Sequence, residues 1–177
     1  YFLKHEDHFA PDGRFHRSGG EWRVENPRIR WDILDAIRAA AGEAGIDPVT
    51  DFNTGTNAGC AYFQVNQRAG RRVSAARAFL NPLKSRANLR IETGVEVEQI
   101  LFEGKRATGV SFRRGDARFT ASARGEVVLA TGAVGSPKLL QLSGIGDPRW
   151  LGEAGIAVHH ALPGVGRNLQ DHLQIRP

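Results

Sequence analysis

Residues Ala130–Gly146 read ATGAVGSPKLLQLSGIG, and this stretch decides the fold. A short apolar run, Val127-Val128-Leu129, precedes it and predicts a strand entering a turn. Thr131, Gly132, Ala133 and Gly135 keep side-chain bulk off the backbone just past that strand, where a planar or pyrophosphate group can approach closely. Ser136 then suits an N-cap, and Pro137 suits the first helical position, where a missing N–H costs nothing. A helix carrying Leu139, Leu140 and Leu142 is expected to stop at Gly144 or Gly146. Strand, glycine turn and helix in that order predict a mixed α/β chain.

The order is more particular than such a turn needs. Gly132-Ala133, Ser136-Pro137, Leu139-Leu140 and Ser143-Gly144-Ile145-Gly146 together resemble the second signature of the glucose-methanol-choline (GMC) flavin oxidoreductases. Upstream, Asp51-Phe52-Asn53, the run Tyr62 to Arg68, Gly70 to Leu80 and Ala87-Asn88-Leu89 resemble the matching segment of bacterial choline dehydrogenase-like members. Downstream, Pro163 to His172, PGVGRNLQDH, resembles a further stretch of the same family.

The resemblance implies FAD as cofactor and oxidation of an alcohol, choline-like or aliphatic, to a carbonyl compound. It also implies that the backbone of Val97 faces the adenine and that Thr131, Gly132 and Ala133 lie against the adenosine or pyrophosphate portion. Residues 1–87 then belong mainly to a substrate-binding or cap region and 88–162 to part of the FAD-binding domain. Residues 163–177 begin the return to the substrate-binding domain. The family's catalytic histidine is expected beyond Pro177, so Asp171 and His172 are not read as an acid–base pair, and no catalytic residue is assigned here.

The phosphate-binding pattern G-x-G-x-x-G after a first strand is missing, because Gly144-Ile145-Gly146 is followed by Arg149 where the third glycine belongs. The chain begins at Tyr1 and contains no methionine. Both features predict an internal segment of a longer reading frame, inactive by itself, with the fingerprint upstream and the histidine downstream.

The rest of the chain is read from periodicity. Val95, Val97, Ile100 and Leu101-Phe102, then Thr108 to Phe112, then Arg118 to Ala121 form three short runs separated by glycine-bearing turns, and predict an antiparallel meander. Trp31, Leu34, Ile37 and Ala41 share one face of a helix expected from Pro27 to Ala44, stopped by Gly45 and Pro48. Glu21 to Val24 and Tyr62 to Asn66 are strand candidates, and Gly70 to Leu80 is a turn into a helix capped by Ser74. Asp147-Pro148 opens a short helix with Trp150 and Leu151 inward, followed by an extended stretch from Ile156 to Leu162. Tyr1 to His8 reads as a helix end whose His5, Glu6, Asp7 and His8 are surface residues.

Composition narrows the function classes. With 177 residues and 41% hydrophobic content the chain can bury a core. Its mean hydropathy of −0.35 and the lack of a long apolar run exclude a membrane helix, and a cytoplasmic setting is expected. The net charge is +5, with arginines spread from Arg14 to Arg176 and interleaved with 19 acids, so nucleic acid is not expected as a partner. Arg68, Arg71, Arg72 and Arg77 form the densest basic cluster, yet no aromatics alternate through it. Cys60 stands alone, which excludes an internal disulfide, and it reads as buried packing. His5 with His8, and His159 with His160, lack a third ligand at metal spacing, so no metal is expected. Two further readings stand beside the enzyme: a nonenzymatic flavin- or nucleotide-binding module, and an anion- or nucleic-acid-binding protein using the arginine cluster.

Overall fold

A single helical turn, α1 (Phe2–His5), opens the chain and passes at once into a strand, β1 (Glu6–His8). The computed structural model describes residues 1–173. It divides into two units, Tyr1–Arg90 and a second from Ile91 onward. The expected helix end is therefore cut short after His5. Glu6 turns extended because the Phe9–Gly20 loop supplies other partners for this backbone. His8 N donates to Arg17 O at 2.8 Å, Gly20 N donates to Glu6 O at 3.0 Å, and β1 pairs in parallel with β2 (Trp22–Val24).

That pairing also overturns the surface assignment of residues 6–8. His8 is 3% exposed, and Glu6 and Asp7 are half-buried and partnered. Asp7 accepts from Gly19 N and meets Arg23 and Arg68; the Gly19 hydrogen bond outweighs burial and, with the two guanidiniums, holds the carboxyl below its usual range. In the loop, Asp12 Oδ1 accepts from the N–H groups of Arg14, Phe15 and His16 at 2.8–2.9 Å, the local competition by which aspartate builds turns. Burial pulls His16 toward its neutral form, but the hydrogen bond and charge of Glu6, with the charges of Asp51 and Asp12, more than offset it and its pKa is raised.

The amphipathic helix is α2 (Asp32–Glu43), which starts five residues later than the sequence suggests. Trp31 stays extended at φ −126°, and Asp32 and Asp35 occupy the first turn, where carboxylates oppose the positive end of the helix dipole. Its stop is as expected, with Gly45 at φ +84° and Ile46 N donating to Ala41 O at 2.9 Å. The apolar face is not covered, however: among the described residues Trp31, Ile33 and Ile37 remain 52–62% exposed.

Tyr62–Asn66 makes no ladder. Val65 forms only an isolated bridge with Glu25, and the hairpin falls just beyond, between β3 (Gln67–Arg68) and β4 (Arg71–Arg72). Ala69 (φ +52°) and Gly70 (φ +76°) both take the left-handed conformation that a tight two-residue hairpin loop needs, so the turn residues place the pairing. Arg68 of the basic cluster is drawn to Asp7 at 3.0 Å, and Arg77 donates to Arg72 O at 2.9 Å. A short π-helical turn, Ala76–Leu80, follows, and Ser74 Oγ accepts from Arg77 N as its capping role requires. Cys60 is half-buried rather than buried.

In the second unit the meander forms as the apolar runs require: β5 (Glu96–Glu103), β6 (Arg106–Arg114) and β7 (Ala117–Ser122), antiparallel and in that order. Gly104 and Gly115, both at φ +58°, take the first places of the loops joining Glu103 to Arg106 and Arg114 to Ala117. The expected strand Val127-Val128-Leu129 is absent, and Val128 is 77% exposed. A strand exists only through its neighbours, and none of the described residues pairs with this run.

The helix of the deciding stretch is α3 (Gly132–Leu142), and it packs on β5. It begins one turn earlier than the capping residues suggest, so Pro137 lies inside it and Ser136 is not its N-cap. The carbonyl that Pro137 leaves without a partner belongs to Ala133, which is exposed to water, so the usual penalty for an interior proline is softened. The C-terminal stop at Gly144 (φ +80°) is as expected. Next come β8 (Ile145–Gly146), α4 (Pro148–Glu153) and β9 (His160–Ala161), the last pairing in parallel with β8. Asp147 caps α4 by accepting from Arg149 N at 3.0 Å, with Pro148 in the first helical position. That hydrogen bond, opposed by burial and aided by Arg167, holds the Asp147 carboxyl low. Ile100, Leu139, Leu151 and Val165 form the buried core of this unit.

Candidate cofactor-binding site

Three of the four residues expected to face a cofactor lie together at the N-terminus of α3. Thr131 is its N-cap, and Gly132 and Ala133 are its first residues. The Thr131 side chain makes no capping bond to an N–H of the helix. Instead Thr131 N donates to Ser136 Oγ at 3.3 Å, and the two hydroxyls are 3.1 Å apart, which closes the turn on itself. The first N–H groups of a helix lack intrahelical acceptors and carry the positive end of its dipole. Gly132 holds φ +84°, and no atom lies within 4 Å of the place a Cβ would take. Donor groups, positive potential and open space therefore coincide at one exposed point, and a polar or anionic group fits there.

Val97 sits apart from this turn. It lies on β5 at the edge of the meander, opposite Phe112, and is 37% exposed, so it is not a buried core valine. Pairing slips between Val97 and Gln99, a bulge of the kind that re-aims backbone groups. Val97 and Ala133 border different depressions. Ala133, Val134, Pro137, Gln141 and the Gly166–Gln170 stretch line one of about 530 Å³. Val97, Glu98, Ser111, Arg118 and Leu142 line another of about 540 Å³. Lys138 borders both, placing a cation between them.

The Pro163–His172 stretch reaches the first depression through Gly166 to Gln170, and Arg167 and Val165 anchor it. Arg167 bonds Asp147 at 2.9 Å and lies over the Trp150 ring at 4.7 Å, while Gln141 Nε2 donates to Val165 O at 3.4 Å. Asp171 and His172 are exposed, and the bond between them runs from His172 N to Asp171 Oδ1, which is turn geometry and not proton transfer between side chains.

Sequence reasoning missed Ser143. Its Oγ accepts from Ile100 N on β5 at 2.8 Å and donates to Leu139 O on α3 at 2.6 Å, and the residue is 3% exposed. One hydroxyl thus satisfies a strand N–H at a buried point and ties the helix carrying Gly132 to the strand carrying Val97. A serine before a helix-stopping glycine reads as part of the stop, and nothing local signals the strand it serves. Ser143→Ala leaves Ile100 N without a partner and is expected to cost about 1–3 kcal/mol of stability. Denaturant midpoints of the two proteins check this; an unchanged midpoint refutes the bridging role.

Residues 12–174 match the GMC oxidoreductase family, and the chain belongs to that family. It is 42% identical over 179 aligned residues to an oxygen-dependent choline dehydrogenase of Burkholderia thailandensis, covering 99% of this chain and 31% of that protein. It is 39% identical to the mitochondrial choline dehydrogenase of Homo sapiens, over 99% of this chain and 30% of that one. Among solved structures it superposes on an FAD-dependent oxidoreductase from Chaetomium thermophilum with a TM-score of 0.86 at 33% identity, covering 93% of this chain and 31% of the other. A pyridoxine 4-oxidase from Mesorbium loti gives a TM-score of 0.82 at 30% identity, over 92% of this chain and 32% of the other. The chain thus spans about a third of the length of the relatives it matches.

Proposed function

We propose that this chain is the middle part of an FAD-dependent oxidoreductase that converts an alcohol to an aldehyde or ketone. The observation carrying the assignment of a cofactor-facing surface is the uncapped start of α3, with Gly132 in a left-handed conformation beside open space. FAD, when bound, supplies the acceptor for the hydride leaving the carbinol carbon. The chain's own residues bind and orient. The first N–H groups of α3, at Gly132 and Ala133, with Thr131 beside them as the cap residue, serve polar atoms of the adenosine–pyrophosphate portion, and the Val97 backbone serves the adenine. Lys138 adds positive charge between the two depressions.

Residues 88–162 make up part of the FAD-binding domain in this reading, residues 1–87 serve a substrate-binding or cap region, and residues 163–177, of which 174–177 lie outside the described residues, are assigned to the return toward it. The general base belongs to the part of the protein beyond this chain. The choline dehydrogenase relatives favour a small alcohol, choline-like among the candidates.

The test uses the protein in its full reading frame. After desalting, its visible spectrum is expected to show a retained flavin band that bleaches when choline or a simple primary alcohol is added without oxygen. Purified protein that carries flavin but is bleached by no alcohol supports the nonenzymatic flavin-binding module instead. Protein with no flavin, even after incubation with FAD, refutes the proposal.

A further inference from the structure

The first unit gathers two histidines and a carboxylate that no sequence spacing links. His8 comes from β1, His16 from the turn that Asp12 builds, and Asp51 from the segment after α2. One donor atom from each lies within 4.8 Å of the others. Both imidazoles are buried, and their rings stack at 4.0 Å between centroids. Asp51 Oδ2 stands 2.9 Å from His16 Nε2 and 4.0 Å from His8 Nε2. Four donors at about 2.0–2.2 Å from a tetrahedral ion lie roughly 3.3 Å from one another, a spacing that these two distances bracket.

The outer contacts orient the same edges. His16 Nδ1 lies 2.9 Å from Glu6 Oε1, and an ionised carboxylate only accepts, so that nitrogen carries the proton and the Nε2 lone pair is left for a ligand. His8 Nδ1 faces the Ala10 backbone, 3.0 Å from its O and 3.2 Å from its N, so that peptide serves either tautomer, and an ion on Nε2 selects the one whose Nδ1 proton goes to Ala10 O. A ring N–H held by a carboxylate or a backbone carbonyl is the outer-shell arrangement of metal-binding histidines. His16 Nε2 is moreover a buried nitrogen without a hydrogen bond, since the nearby Asp51 oxygen lies off the N–H direction. Gln64 completes the ring: its Nε2 donates to Asp51 Oδ2 at 3.1 Å, and its Oε1, 3.2 Å from His8 Nε2, accepts the proton that this nitrogen carries until an ion displaces it.

We propose that His8, His16 and Asp51, with Gln64 Oε1 as fourth donor, form a structural site for a divalent transition-metal ion of the zinc type. Mixed imidazole and oxygen donors suit such an ion better than calcium or magnesium, which take oxygen alone. Binding displaces any proton on the two Nε2 atoms, and a rotation of each ring about χ2 turns their lone pairs from the stack onto the ion. The site pins β1, the Asp12 turn and the Asp51 segment together, and it lies in the unit that does not carry the candidate cofactor residues.

The test is a titration of purified full-length protein, first stripped with a chelator, with zinc and in parallel with cobalt. One zinc ion per chain is expected, with cobalt producing the visible absorption of a low-symmetry site. Asp51→Asn and His16→Gln are expected to abolish both signals, and His5→Gln to leave them unchanged. Glu6→Gln keeps the shape of the outer contact but not its charge, and is expected to weaken zinc binding about 10–100-fold. If Asp51→Asn or His16→Gln fails to fold by circular dichroism, the Glu6→Gln titration decides. Wild-type protein that takes up no stoichiometric zinc, or a folded Glu6→Gln protein that binds it as tightly, overturns the proposal and leaves a stacked imidazole pair held between two carboxylates.

Discussion

Gly144→Ala is expected to destabilise the second unit severely, by about 2–5 kcal/mol, from a left-handed backbone cost of about 1–2 and an overpacking cost of about 1–3. Gly144 ends α3 at φ +80°, a conformation that a Cβ resists. An added Cβ would also lie 2.5 Å from Ala157 O and 2.9 Å from His159 N, both backbone atoms that cannot swing aside. The glycine carbonyl meanwhile accepts from His159 N at 2.8 Å and His160 N at 3.1 Å, so the clash falls on the contact that brings β9 to β8. Gly155→Ala is the matched control. It shares a left-handed φ of +68°, but nothing lies within 4 Å of its Cβ position, so only the backbone cost of about 1–2 kcal/mol applies. Urea midpoints of the two variants separate the effects, and equal losses refute the packing argument.

The parts of the fold legible in the sequence are those fixed by short-range chemistry. Gly104 and Gly115 punctuate the meander, and Asp147-Pro148 opens α4; each acts through its own backbone conformation or a partner two residues away. The features that stayed hidden depend on distant neighbours. Val127-Val128-Leu129 has the composition of a strand but no partner among the described residues, and α2 has the periodicity of a buried helix with its face uncovered. His8 looked exposed because adjacent residues on a helix diverge, yet here they lie on a strand paired with β2. The candidate cofactor site divides in the same way. The small residues Thr131, Gly132 and Ala133 pointed to a close approach, whereas the role of Ser143 appears only once β5 and α3 meet. Ser136 and Pro137 misled because capping residues also serve inside a first turn, where Ser136 Oγ reaches back to Thr131.

Gly132→Val is expected to yield folded protein that loses FAD at least about tenfold more readily, a difference of about 1.4 kcal/mol in binding. The substitution does two separable things. At φ +84° any side chain strains the backbone, and a β-branched one more than most. The added methyl groups also enter the open space where the uncapped end of α3 offers its N–H groups. Gly132→Ala carries the backbone cost with less bulk, so it is expected to lose some stability but keep more flavin than the valine variant. Val97→Ala preserves the backbone and, with Val97 37% exposed, removes a side chain that is only partly buried. Its expected cost is about 1 kcal/mol of stability with flavin content unchanged. Flavin absorbance per protein, read beside circular dichroism on full-length protein, orders the three variants. A folded Gly132→Val protein with full flavin occupancy means that this turn faces away from the cofactor, even if the wild-type protein oxidises alcohols.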